Sequence, residues 1–446
     1  MMEIKLFNSL SNQIETFVPL EEGKVSMYVC GPTVYDYVHI GNMRPVVVFD
    51  TLRRFLSYVG YEVTYVSNYT DVDDKIILKA QKTGKTEKEI TDFYIGEFEK
   101  DVRLIHSKLP NITPRVTEYM PQIISFIDEL VKKDAAYIVD DDVYFKVSAD
   151  PKYGVLSNTN TEDLLVGARI DENMKKQSPL DFTLWKKTEV GVKWNSPWSE
   201  GRPGWHTECV VMIQSLFKNG RIDIHGGGFD LKFPHHENEI AQSMVSKGHA
   251  IANYWMHNGF ININSEKMSK SLGNVITAHD ALTKYGGNTV RLLLLSTHYR
   301  APVNFADDML QNNEKEIQKM QTTYRQIGVK LQLASMPIEG GKPTSMEGFL
   351  KALADDLNTS NALSEVFRVM KDGNNLLRNK EIDYEKLQGV FFTLKDMFSI
   401  LGLEMDLPVL TDEDKKLYAS YLKAKQEKDF TKSDEIRQVL IEKHLI

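Results

Sequence analysis

The chain has 446 residues, of which 42% are hydrophobic and 26% charged, and at ~100 to 200 residues per domain it predicts a soluble globular protein of about two to four domains. No run approaches ~18 consecutive apolar residues, the N-terminus lacks a secretion-signal profile, and two cysteines are too few for a disulfide framework, so we expect a cytoplasmic protein without membrane contact. The net charge of −8 gives no general attraction to polyanions, so a nucleic-acid surface would have to be a local basic patch.

The first part of the chain alternates between strand and helix. A β-type run at 24–30 ends at the turn Gly31-Pro32, and 41–60 has a helical pattern in its second half, with Gly60 as its C-cap. A second β-type run begins at residue 61. Strand, turn, helix and strand in this order predict the start of a parallel, doubly wound α/β unit.

The middle of the chain interrupts this alternation. We predict helices over 88–133 and a β-hairpin over 136–147. The stretch 150–204 is rich in Pro, Gly, Trp and charge but has no sustained period, which indicates an insertion.

The α/β alternation then returns and gives way to helices. We predict a helix over 205–217, a strand over 221–228 and a helix over 234–248, which a proline begins and a glycine ends. From about residue 277 the pattern is almost wholly helical, with one linker at 335–345.

Two cysteines and one polar helix start offer metal ligands. Cys30 ends the first strand, Cys209 lies in a predicted helix, and in the segment PHHENE Glu239 follows His235 by one helical turn. Two thiolates, an imidazole and a carboxylate make a tetrahedral Zn²⁺ set. The spacing leaves open whether His235 or His236 is the ligand and whether the cysteines meet, since no short CxxC motif is present. Two buried cysteines beside an ordinary polar helix are the alternative.

Two further stretches carry groups suited to phosphate chemistry. The segment His39-Ile40-Gly41-Asn42 lies at the turn from the first strand into the first helix, where helix amides and an imidazole can bind a phosphoryl oxygen. A later loop offers Lys267 and Lys270, two ammonium groups that could stabilise a pyrophosphate leaving group. By itself, such a pair of lysines is usually an ordinary polar surface turn.

Five motifs follow one another along the chain: CGPTVYDYVHIGN, SNYTDVDDK, WHTEC, HGGGFDLKFPHHENEIAQS and EKMSKSLGN. In this order they closely resemble the cysteinyl-tRNA synthetases, which are class I aminoacyl-tRNA synthetases with HIGH and KMSKS motifs. The resemblance is strong from about 24 to 310 and looser beyond. It implies a Rossmann-type catalytic domain with a doubly wound parallel sheet and an inserted connective region, followed by an all-helical C-terminal region.

The resemblance also divides the chain into regions. These are the first half of the Rossmann catalytic domain in 1–120, the connective region in 121–204, the second half of the catalytic domain in 205–260, the KMSKS loop and stem-contact region in 261–310, and a helical tRNA-binding region in 311–446. The family usually continues with a short module that meets the anticodon. We therefore expect the anticodon side here to be shortened or its recognition to be weaker.

Roles of single residues follow from the same resemblance. The zinc ligands it implies are Cys30, Cys209, His235 and Glu239, which decides against His236. The ATP-binding set is His39, Gly41, Asn42, Lys267, Met268, Ser269, Lys270 and Ser271, of which His39, Asn42, Lys267 and Lys270 are the catalytic residues. The amino-acid pocket set is Gly31, Thr33, Thr70, Trp205 and His225. Asn42 replaces the last histidine of HIGH, so it can donate a hydrogen bond but cannot carry a positive charge.

The implied activity is ATP-dependent activation of L-cysteine and its transfer to the 3′-terminal adenosine of tRNA(Cys), by a monomer with one Zn²⁺ that uses ATP with Mg²⁺. Zinc in the pocket would distinguish the cysteine thiolate from the serine hydroxyl. Two alternatives stay open: a ligase that joins activated cysteine to a small amine, and a zinc-stabilised RNA-binding protein without activity. Asp71, Asp73 and Asp74 could assist Mg²⁺ or cap a helix, and we favour capping.

Overall fold

The computed structural model describes residues 2–158, 176–267 and 275–446. The chain forms two compact units: an N-terminal unit of Met1–Gly286 and Tyr299–Asn304, and a helical unit of Gly287–His298 and Phe305–Ile446. The strands are β1 (Lys5–Asn8), β2 (Gln13–Thr16), β3 (Lys24–Val29), β4 (Glu62–Ser67), β5 (Ala136–Val139), β6 (Asp142–Phe145), β7 (Phe182–Lys187), β8 (Trp194–Asn195), β9 (Glu200–Pro203), β10 (Ile222–Gly228), β11 (Ala252–Asn258), β12 (Ile261–Ile263), β13 (Glu266–Lys267) and β14 (Val303–Phe305). The helices are α1 (Ile40–Tyr58), α2 (Asp74–Thr83), α3 (Glu87–Leu104), α4 (Met120–Lys132), α5 (Glu208–Leu216), α6 (Glu237–Lys247), α7 (Ala278–Tyr285), α8 (Gly287–Leu295), α9 (Asp307–Leu333), α10 (Glu347–Ala354), α11 (Thr359–Arg378), α12 (Tyr384–Leu401), α13 (Asp412–Gln426) and α14 (Phe430–Glu442).

The predicted doubly wound parallel sheet is confirmed. Its strand order is β11-β10-β3-β4, and all three pairings are parallel. Met27 of β3 faces Ile224 on one side and Tyr65 on the other, so β3 and β10 bring the two halves of the sheet together. The chain order of the strands reverses at this junction, and in such sheets ligands bind in the crevice beyond the carboxyl ends of the strands.

Helix α1 begins earlier than its pattern predicted. We expected only the second half of 41–60 to be helical, but α1 starts at Ile40 and contains Pro45. The start is fixed locally, because the His39 backbone N–H donates to Asn42 Oδ1 at 3.2 Å and the Asn42 N–H donates to the His39 carbonyl at 2.9 Å. Val59 is the C-cap, and Gly60, predicted for that role, follows it with φ +104°.

The inserted region contains more regular structure than its sequence indicated. The predicted hairpin is confirmed as β5 and β6, and the described part of 150–204 adds β7, β8 and β9 to give an antiparallel sheet of order β5-β6-β7-β9-β8. The strands β8 and β9 are only two and four residues long, too short to leave a period in the sequence. Leu184 and Trp185 of β7 are buried in one continuous core with α4, α5 and β10.

The segments that lead into the second half of the parallel sheet include two short irregular turns. A 3-10 turn at Trp205–Thr207 precedes α5, and an irregular turn at Lys232–His236 precedes α6. The helix predicted to begin at Pro234 begins at Glu237, since Pro234, His235 and His236 belong to the irregular turn, in which Phe233 is extended with φ −141° and ψ 134°. Gly248 caps α6 in the left-handed conformation, as predicted, with φ 78°.

The helical unit is built around α9, which packs against α8, α11 and α12. At the centre of this packing, Tyr324 of α9 stacks on Phe391 of α12 with ring centroids 4.8 Å apart. The C-terminal helices α13 and α14 pack against each other over a smaller core that contains Leu410 and Leu440. The predicted linker 335–345 has no regular element, and no helix in the described part of the chain is long and apolar enough to cross a membrane.

Candidate active site

Four side chains from three distant segments meet at the carboxyl end of β3. Cys30 follows β3, Cys209 lies in the first turn of α5, His235 precedes α6 and Glu239 lies in its first turn. Their ligand atoms all lie within 4.8 Å of one another. The sulfur atoms are 3.6 Å apart, and His235 Nε2 lies 3.0 Å from Glu239 Oε1. This is the set that the sequence resemblance named.

The electrostatics of this cluster fit a divalent cation. Cys209, His235 and Glu239 are buried, and a carboxylate and thiols without a cation are costly to bury. Burial raises the pKa of Cys30 well above its usual value, whereas a hydrogen bond with Cys30 lowers the pKa of Cys209 to about 6. Burial opposes protonation of His235, but the charge of Glu239, together with hydrogen bonds to Cys209 and Glu239, outweighs it and raises the histidine pKa to about 10. Two sulfurs, one nitrogen and one oxygen are a donor set that suits zinc.

A second histidine also lies close enough to serve as a metal ligand. His236 Nε2 lies 3.3 Å from Cys30 Sγ, and Cys30, His225, His236 and Glu239 also form a group whose ligand atoms lie within 4.8 Å of one another. His236 already has another partner, because its Nδ1 lies 2.8 Å from His257 Nε2. The geometry alone therefore leaves two overlapping ligand sets that share Cys30 and Glu239.

His225 contacts the second oxygen of the Glu239 carboxylate. Its Nε2 lies 2.7 Å from Glu239 Oε2, while its Nδ1 lies 3.0 Å from the Tyr28 carbonyl. Glu239 thus keeps one oxygen toward His235 and the other toward His225. Burial favours the neutral acid, but the charges of His225 and His235 and their hydrogen bonds together outweigh it and lower the pKa of Glu239 well below its usual range. His225 was predicted as a pocket residue, yet it is fully buried and does not line the pocket.

Gly31 sets the backbone beside Cys30. A Cβ atom at this position would lie 1.6 Å from the Asn68 carbonyl oxygen, so the close approach of the two chains requires glycine. The Gly31 N–H donates to Asn68 Oδ1 at 3.0 Å, and Cys209 Sγ lies 3.9 Å from the same oxygen. Asn68, which sequence reasoning missed, therefore links the backbone of Gly31, next to Cys30, to the side chain of Cys209.

A pocket of about 570 Å³ opens next to the cluster. Cys30, Gly31, Thr33 and Trp205 line one part of it, and His39, Gly41 and Asn42 at the start of α1 line another. Trp205 stacks on His235 with ring centroids 4.1 Å apart. Thr70 does not line the pocket; it is buried and donates to Glu208 Oε2 at 2.8 Å. Burial raises the pKa of Glu208 well above its usual value.

The predicted lysine loop is only partly described. Lys267 ends β13, and Met268, Ser269, Lys270 and Ser271 lie outside the described residues. Strand β12, which pairs with β13, begins at Ile261, and Ile261 lines the pocket together with Val275 and Thr277.

The three aspartates of the second motif have structural partners. Asp73 caps α2 by accepting the Lys75 N–H at 2.8 Å, which confirms the capping that we favoured. Asp71 accepts the Thr117 N–H at 3.0 Å and its hydroxyl at 2.6 Å. Asp74 forms an ion pair with Arg202. None of the three lines the pocket.

Sequence reasoning missed pocket residues that follow β10 and β11. Phe229, Asp230, Asn258 and Phe260 line the pocket. His257 extends the histidine group behind it, because its Nε2 lies 2.8 Å from His236 Nδ1 and its Nδ1 lies 2.8 Å from Ser9 Oγ. The glycine run before Phe229 was the available signal, because glycines at a strand end often mark a close approach to a ligand.

Comparisons with known proteins identify the family of the chain. The family profile described as tRNA synthetases class I (C) catalytic domain matches residues 16–315, and the profile described as DALR domain matches residues 348–406. Cysteine–tRNA ligases from Bacillus cereus (strain B4264) and Bacillus thuringiensis (strain Al Hakam) are 45% and 44% identical to this chain over 453 residues, which cover 100% of it and 97% of each relative.

Solved structures agree at the level of the fold. Mycobacterium tuberculosis methionyl-tRNA synthetase in complex with methionyl-adenylate aligns with a TM-score of 0.62 at 13% identity, over 85% of this chain and 89% of its own. A LeuRS from Agrobacterium radiobacter K84, in a ternary complex with tRNA, aligns with a TM-score of 0.61 at 12% identity, over 86% of this chain and 85% of its own. From the full-length identity and the matched catalytic profile, we conclude that this chain belongs to the cysteine–tRNA ligases, a family of class I aminoacyl-tRNA synthetases.

Proposed function

We propose that this cysteine–tRNA ligase selects its amino acid with a zinc ion held by Cys30, Cys209, His235 and Glu239. The observation that carries the proposal is the approach of these four ligand atoms to within 4.8 Å of one another. Cys30 also lines the pocket, whereas the other three residues are buried, so the cluster faces the pocket on one side. An amino acid in the pocket would reach the cluster from that side.

Zinc, when bound, supplies a soft electrophilic partner that suits a thiolate and suits the hydroxyl of serine poorly. A pocket built to bond one group typically rejects an analogue without it by ~10⁴ to 10⁵. The residues of this chain would complete the selection by shape. Gly31 lets the Asn68 backbone pack closely beside Cys30, and Trp205 covers His235 with its ring.

We propose that ATP binds and reacts at the start of α1 and at the lysine loop. The amides at the start of α1, with His39, Gly41 and Asn42 around them, would bind the phosphates of ATP·Mg²⁺. A cysteine carboxylate oxygen attacks the α-phosphorus, and pyrophosphate leaves with the electrons of the broken P–O bond. Lys267 and Lys270 would stabilise that charge with their ammonium groups, and Asn42 would contribute a hydrogen bond but no positive charge. The catalytic power would come from positioning and charge.

The second step transfers the cysteinyl group to the terminal ribose of tRNA(Cys). A ribose hydroxyl oxygen attacks the carbonyl carbon of the adenylate, AMP leaves, and the hydroxyl proton passes to the departing phosphate. Holding the tRNA needs a basic surface. The groove between α9 and α11, here called the basic groove, has a volume of about 730 Å³ and is lined by four cations and no acidic side chain. Its cations are Lys315, Lys319, Lys371 and Arg378.

The uncharged lining of the basic groove supports contact with a nucleic-acid backbone. Amide and hydroxyl side chains such as Asn374, Asn375 and Thr322 lie between the cations, and these groups bond phosphate and ribose oxygens. We propose that this surface holds a tRNA stem by its backbone. We also propose the roles of the five regions named in the sequence analysis, which are 1–120, 121–204, 205–260, 261–310 and 311–446.

The oligomeric state and the cellular compartment are further proposals. We propose a monomer, because one chain supplies the four proposed zinc ligands and the nucleotide-site residues His39, Gly41 and Asn42. Cys30 and Cys209 are free thiols, which suits the reducing cytoplasm.

Two assays in sequence test the function. Cysteine-dependent exchange of pyrophosphate into ATP should occur with the purified protein, and acylation of bulk tRNA with cysteine should follow. Exchange without acylation would instead indicate a ligase for a small amine. Serine in place of cysteine should give no exchange, and removal of the metal with a chelator should abolish the preference for cysteine. A metal-free protein that still prefers cysteine would refute the zinc proposal.

A further inference from the structure

A buried glutamine outside the metal cluster connects two of the chain segments that carry its ligands. Gln242 lies in α6, three residues after Glu239, and its side chain is 0% exposed. It does not line the pocket and belongs to neither of the two overlapping ligand sets. Its amide group makes three hydrogen bonds, and two of them reach the turn Trp205–Thr207 that leads into α5.

The partners of Gln242 decide how its amide group is oriented. Its Nε2 lies 2.7 Å from the His206 carbonyl oxygen and 3.0 Å from the Asn238 carbonyl oxygen, and a carbonyl can only accept. The nitrogen therefore uses both of its hydrogens, and Oε1 accepts the Thr207 hydroxyl at 2.9 Å. Among the common side chains, only Asn and Gln carry two such donors beside an acceptor, and Asn is shorter by one methylene group.

The turn that Gln242 contacts carries one wall of the pocket. Trp205 lines the pocket and stacks on His235, with ring centroids 4.1 Å apart and planes at 21°. His206 Nδ1 lies 3.0 Å from His235 Nδ1, and the turn runs directly into the first turn of α5, where Cys209 lies. A shift of the turn along α6 would therefore move Trp205 and Cys209 together relative to His235.

On its other side, the same turn is attached to the antiparallel sheet of the inserted region. The Gly204 N–H donates to the Leu184 carbonyl at 2.8 Å, and the rings of Phe182 and His206 meet edge to face with centroids 5.5 Å apart. The turn thus lies between that sheet and α6. The hydrogen bonds from Gln242 fix it on the α6 side.

We propose that Gln242 is a positioning residue for cysteine selection, because it holds the turn Trp205–Thr207 on α6. It thereby keeps Cys209 in place relative to His235 and Glu239 and keeps Trp205 in the pocket wall. Side chains that orient metal ligands from outside the ligand set typically change metal affinity or activity by about 10- to 100-fold when they are replaced. The inference rests on the proposed function, which places zinc among these ligands.

The effect on the metal is measured without catalysis. Gln242→Met has a similar volume but lacks all three hydrogen bonds. We expect this variant to bind zinc and to release it to a chelator about tenfold faster than the unchanged protein. Cobalt(II) in place of zinc has a visible spectrum that depends on the geometry of its ligands, and this spectrum should differ between the two proteins.

The effect on the substrate is measured by pyrophosphate exchange. Gln242→Met should raise the KM for cysteine about tenfold and leave the KM for ATP unchanged, because the turn does not contact the start of α1. Thr207→Val removes one of the three bonds and should raise the KM for cysteine less. The double variant should be no worse than Gln242→Met, because both changes act through the same contact.

Gln332→Met is the matched control for the loss of a buried amide. Gln332 is buried in α9 of the helical unit, where its amide donates to the Pro408 carbonyl at 2.9 Å and accepts the Leu410 N–H at 2.9 Å. Its replacement should lower the stability of the protein. Zinc release, the cobalt spectrum and the KM for cysteine should all stay the same, which separates positioning from general destabilisation.

Zinc release and a KM for cysteine like those of the unchanged protein in folded Gln242→Met would overturn the inference. If that variant does not fold, Thr207→Val decides, and unchanged values in it would have the same consequence. If the unchanged protein holds zinc but shows no cysteine-dependent exchange, the proposed function fails alone. Zinc release and the cobalt spectrum then still test the role of Gln242.

Discussion

Cys30 and Cys209 are 179 positions apart in the sequence, yet their sulfur atoms lie 3.6 Å apart. The contact arises because the end of β3 and the first turn of α5 meet at the crevice where the two halves of the sheet join. The side chain of Glu239 approaches the same sulfur of Cys30 at 3.8 Å. The ligand set is therefore a product of the tertiary fold, and only His235 and Glu239 are close neighbours along the chain.

Replacing one thiol should remove the metal and impair cysteine binding. Cys209→Ser exchanges a soft ligand for a hard one, so we expect zinc to fall from one ion per chain to a small fraction, by metal analysis of the purified protein. The KM for cysteine should rise much more than that for ATP. Met212→Leu is the control, because Met212 is buried on the same helix and a swap of similar volume should keep the zinc.

The adjacent histidines should differ in their effect on the metal. We expect His235→Ala to lose zinc and His236→Ala to retain most of it, because His236 already lies 2.8 Å from His257. The measurement is zinc content at equal protein concentration after dialysis. The opposite result would assign the metal to the overlapping set of Cys30, His225, His236 and Glu239.

Arg44 should stabilise the walls of the pocket. Its buried guanidinium donates to the Phe260 carbonyl at 2.7 Å and to the Ala301 carbonyl, and so ties α1 to the chain around β12 and β14. Arg44→Met should lower the free energy of unfolding of the N-terminal unit by about 1 to 3 kcal/mol, because a buried carbonyl loses a donor.

Tryptophan fluorescence during urea unfolding can measure this change, since all five tryptophans belong to the N-terminal unit. Arg44→Lys keeps one cationic donor and should lie between the unchanged protein and Arg44→Met. Equal unfolding midpoints for all three proteins would remove Arg44 from this role.

The C-terminal helices should lose stability in acid. Asp414 accepts hydrogen bonds from Lys443 and Thr411, which lower its pKa to about 2 from an ordinary value of 3.8. A carboxylate whose pKa is lowered by folding stabilises the fold above the unfolded pKa, and this contribution disappears as the pH falls from about 4 to 2.

Hydrogen exchange in α13 and α14 is the measurement for this effect. The quantity to follow is the ratio of amide protection in α13 and α14 to that in the rest of the helical unit. In the unchanged protein this ratio should decrease as the pH falls from about 4 to 2. In Asp414→Asn it should be nearly independent of pH. An unchanged pH dependence in Asp414→Asn would show that other carboxylates are responsible.

Neutralising the basic groove should weaken tRNA binding only. Replacing Lys371 and Arg378 together by Gln should raise the KM for tRNA and reduce the salt dependence of binding, because fewer counterions are released. Pyrophosphate exchange with cysteine needs no tRNA and should be unaffected. Lys386→Gln is the control, since Lys386 has an exposed side chain on α12 and does not line the groove. An equal loss in the control would argue against the groove.

The features that could be predicted from the sequence are those written in short continuous segments. The run 24–30 predicted strand β3, and the glycine after α6 predicted the end of that helix. The motif resemblance named the four residues of the metal cluster. The spacing of His235 and Glu239 reflects one helical turn, which is a local property of the chain.

The remaining features depend on contacts between distant segments. Asn258 lies beside Gly228 only through the register of two strands, and no periodicity encodes that register. The resemblance placed Thr70 in the amino-acid pocket, but its hydroxyl donates a hydrogen bond to the buried carboxyl group of Glu208. The start of α1 depends on a hydrogen bond between the His39 backbone and the Asn42 side chain, which a search for apolar periodicity does not detect.

The path of the chain between the two units limits how the enzyme can be divided for experiments. The backbone enters the helical unit at Gly287, returns for Tyr299–Asn304 and then departs again, and the returning piece supplies most of β14 beside β12. A fragment cut after α7 would lack this piece and leave one side of β12 unpaired, an open edge that favours aggregation. A catalytic fragment for separate study therefore has to carry the six returning residues on a designed loop.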